Sequence, residues 1–571
     1  MKIRRRVVTA VAAAAAVAAP LLIVPSQASW TDGEWVSGSG VSTSSFDCGT
    51  DTGYTSTASG RFVSGSLLGG DLDQAAEVSG VTLDLDSSGT ATVDPATAQQ
   101  LVDDPPTYAN PLNVTALDGV VAVDLSGLNT GLEAGKAGAL NQWVQASTTG
   151  TAAGASGLVD NSGGIGVTPT TGSAEPPDVA TIGLGTLLPV VADTVANVEL
   201  EIGAVAASSI VDGCDVLESA LWGDGSATAQ RDYGIASLGL GVDAPPLATL
   251  VPTVDSAVDG LNATVNGLVG SNGAIATALN GLTTSVLGSL LSTLGVKVSS
   301  TTVSISNLDL AGAVDPLLTE PLSDGVVTID LSTGHIYADL AALMDHPDGL
   351  NDLDPNTELA LDADVVNALV GRVESLLNTW TTSVTDALTT AIKNATLVAH
   401  VSVALTSVLG NVGSVEIGLN ASVGDIIAGT VPTSAVTATF SLPLGISLDA
   451  GTLVSGLISG LSTTVAPLLQ GLLDQVDTLG TTLSGITAPV VSTLATVLAP
   501  LSEDHLLTLM VNVQPDQPGA PARSTFVAAT DDATAEYEVS ALRIGVVDQA
   551  QTLTLTLATA SAGPVTMPPA T

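Results

Sequence analysis

The clearest gathering of groups able to do chemistry is the acid-rich run Asp345, Asp348, Asp352, Asp354, Glu358, Asp362 and Asp364. Hard oxygens at alternate positions of a loop can hold calcium, and Asp345, Asp348, Asp352 and Asp354 are the expected ligands. The run does not reproduce the D-x-D-x-D-G loop with its distal glutamate, so a solvated loop before a helix cap is the plainer expectation. No other cofactor is expected. A carboxylate pair for glycoside cleavage is defined by separation in space, so none can be located in the sequence. The shortage of aromatics after the first segment leaves few platforms for stacking sugars. His335, His346, His400 and His505 lie far apart, with no H-E-x-x-H and no metal-ligand spacing; each is expected on a strand or the surface. There is no G-x-S-x-G elbow, P-loop or dinucleotide fingerprint. The expectation is a protein that is not an enzyme.

The two cysteines, Cys48 and Cys214, sit in turn-like settings, Asp47-Cys48-Gly49 and Gly213-Cys214-Asp215. Without C-x-x-C spacing or a histidine neighbour they read as one disulfide outside the cytosol. Closing so long a loop stabilises by up to ~5 kcal/mol in the entropy model. Export is expected from the N-terminus. Lys2, Arg4, Arg5 and Arg6 form a basic head, Val7 to Val24 an apolar body, and Ser26-Gln27-Ala28 a cleavage site ending at Ala28. Cleavage removes four of the twelve basic residues and no acidic one, which takes the net charge from −45 to −49. Such a surface repels nucleic acid and anionic lipid, so neither is an expected partner.

The elements that must carry these groups change character along the chain. Residues 29–240 read as a β domain. In it Val81 to Asp86 and Thr90 to Val93 flank the hairpin turn Ser87-Ser88-Gly89. Trp30, Trp35, Phe46, Tyr54 and Phe62 are expected to anchor its first strands. From Gly241 the apolar residues step by three and four, as on one side of a helix. One such stretch runs from Leu250 to Leu294 with a break at Gly270 to Gly273, a second from Val365 to Ala395, and a third from Leu453 to Leu501. Each gives way to strands, and a second hairpin, Val326 to Leu340, turns at Ser332-Thr333-Gly334. Each stretch follows a similar tag, Val242-Asp243-Ala244, Leu361-Asp362-Ala363 or Leu448-Asp449-Ala450, whose aspartate can cap a helix.

The expected fold class is α+β, predominantly β, with an N-terminal β domain followed by long amphipathic helices alternating with antiparallel strands. The expected segments are a signal peptide over 1–28, the β domain over 29–240, helix-plus-strand units over 241–345, 346–448 and 449–560, and a flexible tail over 561–571. None of the helical stretches reaches ~18 uninterrupted apolar residues, so no transmembrane span is expected in the mature chain. Their outer sides are Thr, Ser, Gly and Ala, which suits burial, self-association or contact with an apolar ligand.

The strings Ser29-Trp30-Thr31-Asp32-Gly33-Glu34-Trp35-Val36, Ser44 to Tyr54, Leu140-Asn141-Gln142-Trp143 and Leu221-Trp222-Gly223-Asp224-Gly225 resemble the choice-of-anchor G family. These are exported surface proteins of actinobacteria. The resemblance is strongest over residues 30 to 240 and defines no active site. It implies an extracellular body joined in different members to different C-terminal anchors, none of which is recognisable here. The expected function is a secreted or cell-surface envelope protein, structural or adhesive, whose partners are other envelope proteins or further copies of itself. The alternatives are a secreted hydrolase with a carboxylate pair and a carrier of an apolar ligand.

Overall fold

The computed structural model describes residues 52–566 apart from 68–69, 72–79, 112–140, 167–178, 185–192, 214, 216–228, 292–293, 347–348, 409, 443–447, 503–506, 522–534 and 547–552. Ala28, Cys48, Cys214, Asp348, Trp30, Trp35 and Phe46 lie outside the described residues. The fold is α+β with strand predominant.

Both expected hairpins form, and by the same device. Between Val81–Leu85 and Ala91–Asp94 the Asp86 carboxylate accepts from the Ser88 and Thr90 amides at 2.9 and 2.8 Å, and Gly89 takes φ +85°. Between Val327–Asp330 and His335–Asp339 the Asp330 carboxylate accepts from the Ser332 amide at 2.8 Å, and Gly334 takes φ +77°. An aspartate that bonds its own backbone two residues on makes a tight turn, and glycine supplies the positive φ that other residues resist. The first strand, Thr55–Leu67, follows Tyr54 and contains Phe62, both 1% exposed.

The helical stretches fall where the periodicity placed them. Leu250–Leu268 and Ala274–Leu290 are separated at Val269 to Gly273, and Ala363–Asn394 is one unbroken helix. The third stretch is a pair, Ala450–Thr464 and Ala466–Leu498, parted at Val465 with Pro467 at the start of the second. Proline is tolerated in a first turn, where its missing N–H has no partner to lose. Leu469, Leu472, Val476, Leu479, Leu483, Val490 and Leu494 form the buried row of the last helix, each side chain stabilising by about 1.5–3 kcal/mol. This row packs along Ala363–Asn394, while Ala450–Thr464 packs on Ala274–Leu290. Gly460 permits that second approach, since a Cβ there would lie 1.9 Å from Leu282.

The strands among the described residues form four antiparallel sheets. The largest runs Thr357–Leu359, Leu507–Val513, Tyr537–Val546, Leu553–Thr566, Thr55–Leu67, Val81–Leu85 and Ala91–Asp94, with Gly70–Asp71 added to the Thr55–Leu67 strand. A second contains Gln230–Ile235, Val205–Asp212, Thr151–Gly157, Asn141–Ala146, Thr107–Ala109 and Gln99–Val102, in that order. It lies against the first through small residues. A Cβ at Gly154 would meet the Ser59 carbonyl at 2.2 Å and that of Ser561 at 2.5 Å. The third, Gly295–Ser306, Thr396–Ser407, Gly410–Ser422 and Val436–Ser441, covers the helices Ala274–Leu290 and Ala450–Thr464. The fourth holds the candidate site.

The expected segments do not close separate cores. Strands from 55–94 share a sheet with strands from 357–359 and 507–566, and one apolar cluster runs from Phe62 to Ala560. Backbone pairing between distant strands overrides the order of the chain. The expected tail is also corrected: residues up to Thr566 belong to the last strand, where Ala562 and Val565 are 0% and 2% exposed. The small side chains of this stretch read as a loose tail, yet they suit a strand of the largest sheet that the second sheet packs against closely. Residues 567–571 lie outside the described residues.

Candidate functional site

The fourth sheet has the order Leu322–Ser323, Val327–Asp330, His335–Asp339, Leu238–Asp243, Asn197–Ile202 and Ala180–Gly183. Strand alternation sends Val198, Leu200, Ile202, Leu240, Val242, Ile336 and Ala338 into the core and their neighbours to the outer face. Register then sets three cross-strand rows on that face: Asn197, Asp243 and His335; Glu199, Gly241 and Tyr337; Glu201, Gly239 and Asp339.

The middle strand is bare at Gly239 and Gly241, and this lets long side chains lean across it. A Cβ on Gly241 would lie 2.1 Å from Glu201 Oε1, and one on Gly239 would lie 2.1 Å from the Tyr337 ring. Glu201 thereby reaches His335, whose Nε2 is 2.9 Å from Glu201 Oε1 while Nδ1 is 2.8 Å from Asp243 Oδ1. The hydrogen bond to Glu201, opposed by burial and assisted by Asp243, raises the imidazole from 6.5 to about 9. At neutral pH it is an imidazolium donating from both nitrogens. Burial first, then the charge of Glu201, raises Glu199 above its ordinary 4.5; its amide partner is Asn197 Nδ2 at 3.1 Å. Burial also pushes Tyr337 up to about 12, with help from Asp339 and Glu201.

Among the described residues, Glu199, Glu201 and His335 are the group whose oxygen and nitrogen atoms lie close enough to share a metal ion, all within 4.8 Å of one another. The sequence reading missed them. Two signals were legible: glutamates two apart on an alternating strand share a face, and so do Gly239, Gly241 and Asp243 on theirs. What brings them together with His335, more than 130 residues on from Glu201, is sheet order. Asp243 also departs from expectation. Asp362 and Asp449 cap their helices, accepting from the Val365 and Gly451 amides, whereas the turn after Asp243 has Ala244 at its cap and no side-chain bond there. Asp243 is held by His335 instead.

The expected calcium ligands Asp345, Asp352 and Asp354 do not form such a group, and Asp348 lies outside the described residues. Their loop is shaped by uncharged groups. Tyr233 Oη donates to the Leu350 carbonyl at 2.7 Å and accepts from the Leu353 amide at 2.9 Å. Asn356 Nδ2 donates to the Gln514 carbonyl at 2.9 Å, and Asn512 Nδ2 to that of Leu353 at 2.8 Å. Asp345, His346, Glu358 and Asp364 all line one open cleft of about 400 Å³.

Two other sequence features take structural places. Gln142 accepts from the Phe62 amide and Trp143 donates to the Asn161 carbonyl at 3.1 Å, so that part of the resembling string braces sheets. Between Ala274–Leu290, Ala450–Thr464 and the third sheet lies an apolar cavity of about 20 Å³, bordered by the buried Thr283 hydroxyl. That is room for about one water, far below the hundreds of Å³ of an ordinary ligand pocket.

Residues 58–563 match a family described as Domain of unknown function (DUF8394). No curated protein and no solved structure matches the chain.

Proposed function

We propose, for a chain that belongs to the DUF8394 family, a non-catalytic role in the cell envelope, structural or adhesive, exercised with other envelope proteins or with further copies of itself. The observation that carries this reading is the chemistry of the outer sides of the long helices. Thr253, Thr264, Thr284, Thr382, Thr478 and Thr482 each donate to the carbonyl four residues back. Their donors are satisfied without water. Between Ala450 and Leu498 the only charges are Asp474 and Asp477. Away from those two carboxylates, a side whose hydroxyl donors are already satisfied loses little on being covered.

Export rests on the basic-then-apolar N-terminus and on the resemblance to the choice-of-anchor G family, and a Cys48–Cys214 disulfide belongs to the same proposal. The run Ala450–Ser502 is long and apolar enough to cross a membrane by length and composition. Its buried leucine row supports taking it as a core element, because core helices pass the same test. Surface labelling of intact cells followed by cross-linking tests the role, with a cell-bound, cross-linked species expected. Recovery solely as a monomer in culture fluid would sink it.

One observation favours a second reading, a secreted hydrolase: the cleft that gathers Asp345, Glu358 and Asp364. Cleavage of wall polysaccharide that is lost in Glu358→Gln or Asp364→Asn would put this reading in place of the first.

A further inference from the structure

We infer that Glu199, Glu201 and His335 bind a divalent transition-metal ion, with Asp243 as the positioning residue that aims the imidazole. The inference is independent of the envelope role and stands or falls separately from it.

The donor atoms are nearly assembled. Ions of this class hold nitrogen and carboxylate oxygen at ~2.0–2.2 Å, so ligands on one ion lie no more than ~4.4 Å apart. The three residues already place theirs within 4.8 Å of one another, and rotation of a glutamate side chain closes the remainder. The imidazole is set as metal-binding histidines are set. Nδ1 is held by the Asp243 carboxylate at 2.8 Å, which fixes the ring, and Nε2 faces the glutamates.

The surroundings fit the same reading. Gly241 keeps clear the ground over which both glutamates lean, since its Cβ would stand 2.1 Å from Glu201 Oε1 and 3.1 Å from Glu199 Cγ. Three carboxylates, Glu199, Glu201 and Asp243, face one imidazole, and the bond shown for Glu199 comes from an uncharged amide. The cluster therefore carries an excess of negative charge on a partly buried face, which a dication offsets and a single proton does not. On binding, the Nε2–H bond to Glu201 is replaced by a bond from Nε2 to the ion, and the proton leaves to water. One nitrogen and two carboxylates suit Zn²⁺, Mn²⁺ or Fe²⁺. Calcium, which takes six to eight oxygens, does not fit this set. Loaded, the site staples the Asn197–Ile202 strand to His335–Asp339 across the strand between them.

The test uses the whole chain without an affinity tag, stripped with chelator and titrated with Zn²⁺ by calorimetry at neutral pH. One Zn²⁺ per chain is expected, with Ca²⁺ at least tenfold weaker and a higher melting temperature when Zn²⁺ is present. Glu199→Gln separates a metal site from an ion-pair clamp, because Glu199 makes no hydrogen bond to His335. This variant should melt no lower than wild type without metal and bind Zn²⁺ at least tenfold more weakly. His335→Gln, where it folds, should abolish binding. Absence of saturable Zn²⁺ binding in the wild type, or unchanged affinity in Glu199→Gln, overturns the assignment.

Discussion

His335 shows how much one side chain's meaning depends on what faces it. Alone in the sequence it is a residue after a turn glycine; in the sheet it is clamped between Glu201 and Asp243, with Glu199 and Tyr337 beside it. Its proton is bound more tightly in the folded chain, at about 9, than at the ordinary 6.5. The stabilisation it brings is therefore present in full below about pH 6.5 and is lost as pH rises through 9. Tyr337, held at about 12, titrates above that window. In chelator-containing buffer the melting temperature should fall between pH 6.5 and 9, and His335→Gln should flatten that part of the profile. An equal fall in the variant would remove the clamp as its cause. Cross-strand reach of this kind needs glycine beneath it, and the alternating glycines of Leu238–Asp243 could be read in the sequence, but not what leans over them.

The elements were the most legible level. The apolar steps of three and four placed three helical stretches and the break in the first, because a helix buries one side and the pattern needs only local spacing to be seen; the parting of the third at Val465 came from the structure. Hairpin turns were legible for a similar reason: the aspartate, serine and glycine that build them are neighbours in the chain. The caps divide instructively. Asp362 accepts from the Val365 amide at 2.9 Å, so Asp362→Ala should lower the unfolding free energy by about 1 kcal/mol, measured by urea denaturation. A loss near zero would show that the first turn is held by packing alone. Asp243, in a tag of the same form, makes no cap, since a strand end beside His335 offers it a stronger partner than a helix amide. The short helix Leu310–Thr319 went unread. Its Asp309 cap was present in the sequence, but Pro316 and the short length hid the period.

At the scale of the whole molecule, the first and last strands of the described residues pair. Leu553–Thr566 lies between Thr55–Leu67 and Tyr537–Val546 in the largest sheet, and Ser209 of the second sheet donates to the Tyr537 carbonyl at 2.7 Å. Deleting residues 553–571 should strip the first strand of one of its two main neighbours, leaving Val81–Leu85, and expose two sheet edges. Loss of a single cooperative melt, followed by circular dichroism, is expected. A truncated chain that melts as sharply and as hot as the full one would show that the closure is dispensable. The sequence by itself determined which long stretches are helical, where the two hairpins turn, which leucines of those helices are buried and that the chain is acidic, because those properties arise within a few residues. Only the tertiary structure decided which strands are neighbours, that Thr55–Leu67 pairs with Leu553–Thr566, and that Glu199, Glu201, Asp243 and His335 share one face. Backbone N–H and C=O groups are alike in every strand, so pairing over long separations is chosen by the packing of the whole core rather than by any local signature.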